Sequence, residues 1–289
     1  MVHDVGSDLP WLSLKEVASA KLGVVLALCA TAFSAAAGDG KLRGAGGLIS
    51  IEGSAGGGIS PWAVIAGYNE ADQASALAAS SRVETDDYQL QTNSVAIGAY
   101  NRVELSLTRQ TFAIPGARLG QDILGAKVRF TGDLIYGPYP QVSLGAQYKR
   151  STQGSTLSAL GIRDQQDVDF YASVSRLFLS GPLDRSWLVN ATVRSTKAQQ
   201  TGLLGFSSNR KFVLEGSTAM LLNRYVALGL EYKTKPDELS GLREDDWKDV
   251  FLAWFPNKKL TLAVAYVDLG EIATRKNQNG YFFTLQGQF

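Results

Sequence analysis

The sequence predicts an all-β fold, a single antiparallel β-barrel that crosses a membrane. Three observations predict it. From residue 41 onward the chain is a succession of segments about ten residues long, in which apolar and polar side chains alternate with a period of two. The connections between these segments sort by parity into short and long over the second half of the chain. The last segment, Asn279 to Phe289, ends on an aromatic residue and carries Tyr281, Phe283, Leu285 and Phe289 on one face, with Thr284, Gln286 and Gln288 on the other. A strand of about 9–11 residues is what a tilted crossing of the hydrocarbon needs. That ending also resembles the signal by which bacterial outer-membrane barrels are handed to the barrel-assembly machinery for insertion.

The start of the chain reads as an export signal. Lys15 and Lys21 precede the apolar run Leu22–Phe33, and small residues at Ala35 and Ala37 suit cleavage after Ala37. The expected division is therefore a signal peptide over 1–37 and a barrel over 38–289. At about twelve residues the run is too short to span as a helix. Segment 1–14 is long for such a leader and points to translation starting further in. A lipid anchor on Cys29 is disfavoured, because bulky Leu28 precedes it and it lies inside the apolar run. Cleavage removes the only cysteine, Cys29, and the only histidine, His3. The mature chain then has no thiol, disulfide or imidazole.

Strands are expected at 41–52, 59–69, 73–84, 89–99, 102–113, 121–131, 141–150, 168–178, 187–198, 211–222, 225–235, 247–256, 260–269 and 279–289. These make fourteen, an even number as bacterial barrels require, with twelve as the fallback. The first hairpin is the weakest, since Leu42–Gly58 is very Gly-rich and Pro61 cannot donate to a ladder. The even-numbered connections, such as Tyr100-Asn101 and Asn223-Arg224, are short and belong on the periplasmic side. The later odd-numbered ones, such as Ser151–Asp167 and Pro236–Asp246, are longer and belong outside. A soluble sandwich has no reason to sort its loops this way.

The faces agree. Val103, Leu105 and Leu107 alternate with Glu104, Ser106 and Thr108, while Val189, Ala191 and Val193 alternate with Asn190, Thr192 and Arg194. Charge inside and branched aliphatics outside invert a soluble barrel. The expectation is greasy side chains towards lipid and ionised ones towards the axis, all the way round. Aromatics near strand ends, among them Trp62, Tyr68, Tyr100, Tyr148, Trp254, Tyr266 and Tyr281, are placed as interfacial girdles would be.

Four stretches, Gly56–Tyr68, Leu119–Arg129, Gly202–Phe206 and Glu244–Pro256, together resemble a bacterial family of unknown function expected in the outer membrane. The resemblance covers nearly all of the mature chain. It implies a fold and a location and carries over no activity, cofactor or functional residue. Size and strand number are also similar to those of small monomeric porins, a likeness of fold only.

With no histidine left, a Ser-His or His-Asp catalytic site cannot form, nor can a zinc site of His or Cys ligands. No catalytic residue, metal site or cofactor is expected. The near-neutral charge, +1 over the whole chain, gives no footprint for nucleic acid. The Gly-rich Gly53–Gly58 lacks the Lys-Ser/Thr ending and following helix of a phosphate cradle, so it reads as a tight hairpin or flexible loop. Asp86 and Asp87, and Glu244, Asp245 and Asp246, fall in outward loops. They are candidates for divalent-cation contact bridging lipopolysaccharide phosphates.

Alternation gathers in the lumen Arg102, Lys127, Arg129, Lys149, Arg194 and Lys233 with Glu104, Asp169, Glu215, Glu231 and Asp249. If these pair across strands they bridge the pore; if the signs face each other across it they sort hydrated solutes. The leading expectation is a porin-like passive channel for small hydrophilic solutes. The alternative is a non-conducting structural or interaction barrel with a salt-bridged lumen and outer loops that touch a ligand or lipopolysaccharide. An energised importer is not expected, as no N-terminal plug domain is visible before the first strand.

Overall fold

The computed structural model describes residues 41–114, 116–153, 164–235, 245–272 and 275–289. The expected signal segment 1–37 and Glu244 lie outside these. Two short strands come first, β1 (Leu48–Ile49) and β2 (Ala55–Gly56), paired only with each other. Twelve long ones follow: β3 (Ala74–Thr85), β4 (Gln89–Ala99), β5 (Val103–Ile114), β6 (Ala117–Thr131), β7 (Gln141–Ser151), β8 (Gln166–Phe178), β9 (Ser186–Ala198), β10 (Phe206–Asn223), β11 (Val226–Lys233), β12 (Trp247–Trp254), β13 (Leu260–Asp268) and β14 (Asn279–Gln288).

These twelve form one closed antiparallel barrel in which each strand pairs with its chain neighbours. The seam joins β14 to β3, with Phe283 opposite Arg82, and is extended by reciprocal bonds between the amides and carbonyls of Ala76 and Phe289 at 2.8–2.9 Å. Closure leaves no unpaired sheet edge, the condition for placing a sheet in lipid. With both ends of the barrel sequence on the periplasmic side, the turns at 100–102 and 224–225 are periplasmic and the connections at 86–88 and 199–205 face outward.

Why these segments make wall is visible in their faces. Along β14, Tyr281, Phe283, Leu285 and Phe289 are exposed on the outside, whereas Phe282, Thr284, Gln286 and Gln288 are buried inside. The same holds on β13, where Val264 and Tyr266 point out, and on β5, where Leu105 and Leu107 do. The rule is broken in places, among them β12 and β13, where Lys248 and Asp268 pair at 3.7 Å on the outer face. The ion pairs Arg82–Glu84 (3.1 Å) and Arg109–Asp122 (2.7 Å) stand exposed on the outer face of β3, β5 and β6. Charge is therefore not confined to the axis all the way round.

Fourteen wall strands are not formed. The twelve-strand alternative is the one observed, and the two missing strands are the first hairpin. Residues 46–69, apart from the link to β3, are buried without interruption and sit inside the barrel. Three properties keep this segment out of the wall. Its glycines give no lipid-facing row, Pro61 has no N–H for a ladder, and its apolar side chains meet protein on every side. Trp62 and Tyr68, expected in an interfacial girdle, are buried in the lumen for the same reason. A plug does precede the first wall strand, contrary to expectation. Twelve strands enclose more space than wall side chains alone fill, and the segment takes up the remainder.

Candidate functional site

The plug enters and leaves by the periplasmic end. At the start, Lys41 Nζ donates to Asn101 Oδ1 (2.9 Å) in a periplasmic turn, and Arg43 donates to the carbonyl of Pro256 (3.0 Å) in another. At the far end the segment runs through Asn69 into β3. Gly46 and Gly67, from the two limbs, lie so close that a Cβ on Gly46 would meet the Gly67 carbonyl at 2.8 Å. The segment is thus a U lying inside the barrel.

Inside, the U pairs with itself only in tight turns and short bridges, such as the Ile51 amide to the Gly58 carbonyl (2.9 Å) and the Trp62 amide to that of Ala55 (3.1 Å), and a peptide group left unpaired at this depth is costly. Wall side chains take the place of a ladder. Gln110 Nε2 donates to the Ile51 carbonyl (2.6 Å), Gln147 Nε2 to the Glu52 carbonyl (2.9 Å) and Gln141 Nε2 to that of Ala63 (2.6 Å). The Pro61 carbonyl accepts from Thr192 (2.8 Å), Asn190 and Ser173. Close packing explains the glycines. A Cβ on Gly53, whose φ is +88°, would lie 1.9 Å from Thr108 Oγ1, and one on Gly57 would lie 2.0 Å from Glu231 Oε1. The Gly-rich stretch is a tight turn, as one of its two readings had it, packed at the centre of the lumen.

Three groups of charged wall residues moor the U. In the first, Glu104 and Lys127 pair at 3.1 Å and clasp the backbone between them. Glu104 accepts from the amides of Ala55 (3.0 Å) and Ala66 (2.9 Å), while Lys127 donates to the carbonyls of Ala55 (2.8 Å) and Trp62 (3.2 Å). In the second, Glu231 Oε2 accepts from the amides of Gly58 (2.5 Å) and Ile59 (3.0 Å), and Asp249 stands directly opposite Glu231 across β11 and β12.

The third group lies at the middle of the lumen. Five residues on five consecutive strands alternate in sign: Lys149 on β7, Asp169 on β8, Arg194 on β9, Glu215 on β10 and Lys233 on β11. Lys149 pairs with Asp169 at 2.7 Å, Arg194 Nε with Glu215 at 2.5 Å, and Lys233 with Glu215 at 3.7 Å. Three cations and two anions leave the arc one negative charge short. Glu52 of the plug supplies it. Its Oε1 contacts Lys149, and its Oε2 lies 2.6 Å from Lys233 and 3.2 Å from Arg194. Glu52 and Arg194 are each 1% exposed, and Arg194, Lys127 and Lys149 are among the most completely buried large side chains described. Charges so placed are tolerable only when paired and hydrogen-bonded.

Nine of the eleven residues expected in the lumen are therefore buried there, and pairing dominates among them. Two are elsewhere. Arg102 is exposed at the periplasmic rim just before β5, and Arg129 is half-buried at the end of β6, donating to the Gly132 carbonyl (2.8 Å). Alternation put both on the inner face, but both lie where strands give way to turns. Beside Arg129, the carboxylate of Asp133 accepts from the amides of Ile135 and Tyr136, both at 2.9 Å. Burial alone would raise the pKa of this carboxyl. The two amides, with Arg129 and Arg176, outweigh burial and hold it below its ordinary value.

Glu52 was missed as a lumen residue because its segment reads as wall. The available signal was the stretch from Gly53 to Pro61, which offers lipid nothing. The described outward-loop acids are two adjacent pairs, Asp86-Asp87 and Asp245-Asp246. Asp87 accepts from Gln278 Nε2 (2.9 Å), Asp86 is exposed, Asp245 accepts from the Glu271 amide (2.8 Å), and Asp246 accepts from the Lys235 amide (2.9 Å). No group of three or more potential metal ligands occurs among the described residues.

Apolar layers lie above and below the charged middle. Ile51 and Ile59 face Val83, Phe112 and Phe282 on the outward side, and Leu48 and Trp62 face Leu188, Ala219 and Phe251 on the periplasmic side. The gaps in these two layers measure about 30 and 40 Å³, room for roughly two or three water molecules each.

A closed antiparallel barrel with an apolar outer face and a charged, polar middle is a bacterial outer-membrane barrel. The comparisons agree with that class. A solved structure described as the KdgM porin matches with a TM-score of 0.52 at 11% identity, covering 74% of this chain and 99% of its own. One described as the NanC porin matches with a TM-score of 0.51 at 11% identity, covering 74% and 98%. At such identities the likeness is one of fold. The chain belongs to the family described as "Protein of unknown function (DUF3034)", which it matches over residues 45–286. That span begins within the plug, so plug and wall belong to one family unit. No curated protein matches the sequence.

Proposed function

We propose that the protein is an outer-membrane channel for small hydrophilic solutes, held closed by its own residues 41–69. The observation that carries this is Glu52, the one plug carboxylate that neutralises the five-residue arc on the lumen wall. Two further features support a removable plug over a permanent core. All twelve ladders of the barrel, seam included, are complete without any plug residue, so the wall does not need the U in order to close. Both limbs of the U leave on the periplasmic side, so it can swing out without being threaded through the barrel. Once it is out, Ser, Thr, Gln and charged side chains of the wall line the middle of the passage, the surface a hydrated solute requires, between the two apolar layers.

Planar-bilayer recording tests the reading. The native protein is expected to be mostly silent, and Glu52→Gln to open in steps. Removing one partner of a buried ion pair costs on the order of 3–5 kcal/mol, which shifts a closed–open balance by about a hundredfold or more. A folded Glu52→Gln barrel that stays silent would remove the channel reading.

The completeness of the burial around Lys127, Lys149 and Arg194 favours a second reading in that event, a non-conducting interaction barrel. In that case Asp86, Asp87, Asp245 and Asp246 would be the groups offered to cation-bridged lipopolysaccharide from the outer loops.

A further inference from the structure

We infer that Lys149, Arg194 and Lys233 form a cradle for the carboxylate of a small monoanionic solute, which takes the place of Glu52 when the plug withdraws. As a statement about the solute carried, this rests on the channel reading above. As a statement about binding, it stands on the geometry of the arc.

The cations reach the lumen from three alternate strands and converge on a single carboxylate, dividing its two oxygens between them. Lys149 takes one, and Lys233 (2.6 Å) and Arg194 (3.2 Å) take the other. Asp169 and Glu215 lie on the strands between and fix the cations through their own pairs, at 2.7 Å to Lys149 and 2.5 Å to Arg194. Gln147 Oε1 also accepts from Arg194 (2.6 Å), and the guanidinium lies 5.4 Å from the centre of the Tyr171 ring. The cradle is thus held in shape by wall residues and does not depend on Glu52 for its form.

Charge sets the class of guest. With Glu52 absent the arc carries three positive and two negative groups, an excess of one. A monocarboxylate restores neutrality, a dianion overshoots it, and an amide or sugar without a carboxyl leaves a buried positive charge uncompensated. Glu52 therefore occupies the site in the closed state as a tethered version of the guest, and a free carboxylate competes with it.

Chemical rescue tests this. Glu52→Ala removes the equivalent of one acetate from the cradle. The full-length variant is refolded in detergent with sodium acetate, with acetamide or with neither, and melted. Acetate is expected to raise Tm in a saturable way, by roughly 5–10 °C at a hundredfold excess over its Kd, and acetamide to leave it unchanged. A variant that refolds only in acetate supports the cradle equally. Equal effects of acetate and acetamide, or failure to refold in either, overturn it. The double variant Glu52→Ala, Lys233→Met leaves the arc with two positive and two negative groups and is expected not to respond to acetate; a response there would place acetate elsewhere and also count against the site. Bilayer recording of Glu52→Ala separates this inference from the reading it rests on. Acetate stabilisation without currents leaves the cradle and removes the channel, and currents without stabilisation do the reverse.

Discussion

The wall and the plug satisfy the same backbone requirement by opposite means. In the wall each strand finds its partners in the strand beside it, so side chains are free to face lipid or lumen as their chemistry dictates. In the plug, backbone pairing is confined to tight turns, single bridges and the two-residue ladder of β1 with β2, and many other peptide groups are met by side chains that reach in from the wall. Irregular backbone at membrane depth is tolerated only inside protein, and here the protein around it is specialised to receive it. The difference recasts the inward-facing charges. Lys127 and Glu104 are hydrogen-bond partners for a folded-in segment before they are anything to a solute.

If the mooring is what separates plug from wall, breaking it should loosen one and spare the other. Lys127→Met leaves Glu104 buried without its cation, at a cost of about 3–5 kcal/mol, and withdraws the donor to the Ala55 and Trp62 carbonyls. Amides at 49–66 are expected to exchange with solvent a hundredfold or more faster, while those of β7 to β9 keep their protection. Equal acceleration in both would mean that plug and wall open as one unit, and the contrast drawn above would not stand.

The two regions were also unequally legible in the sequence. For the wall, alternation is nearly a complete statement, because lipid imposes an apolar row on one face and period two places the rest inside. The segment read at 279–289 is observed as Asn279–Gln288, and that read at 89–99 as Gln89–Ala99. Alternation says which residues share a face and nothing about what fills the space they face. Ile59, Trp62 and Val64, read as wall from alternation, belong to the buried cluster that includes Phe112, Leu188 and Phe251, apolar residues at the ends of a lumen taken to be polar throughout. The pairing of Lys149, Arg194 and Lys233 was legible only in part, since their common partner Glu52 lies in the one segment whose place could not be read.

Gly53 sharpens the comparison at smaller scale. In the wall a Cβ on the lipid-facing Gly216 would meet nothing nearer than the Asn190 carbonyl at 3.8 Å, whereas one on Gly53 would lie 1.9 Å from Thr108 Oγ1 at a φ of +88°. Gly53→Ala should lower Tm by an amount equivalent to roughly 1–3 kcal/mol of overpacking. Adding Thr108→Ala removes the hydroxyl contact and leaves one at 2.9 Å to the remaining Cβ, so it should recover part of that loss, with about 1 kcal/mol of the rest due to an L-residue in the left-handed region. Losses that simply add across the two substitutions would show that Thr108 is not what constrains the turn.

The smallest effect belongs to the wall's own periplasmic edge, where the foot of the plug, Lys41, comes within electrostatic reach. Asp133 organises the turn at 132–140 through two amide bonds and lies 3.5 Å from Arg129, and its side chain is 42% exposed. Its carboxyl, held below the ordinary value by those amides and the neighbouring arginines despite partial burial, binds a proton less readily in the folded turn than in the unfolded chain. The stabilisation is therefore fully present above the unfolded value of 3.8 and is lost as pH falls through the lower folded one. Solvent screening keeps it local. Amide exchange of Ile135 and Tyr136, corrected for the intrinsic pH dependence, should lose protection only in that acid range, with 49–66 unchanged. Asp133→Asn should flatten the profile. A plug that loosened over the same range would tie the mooring to this rim and remove the independence of the two regions.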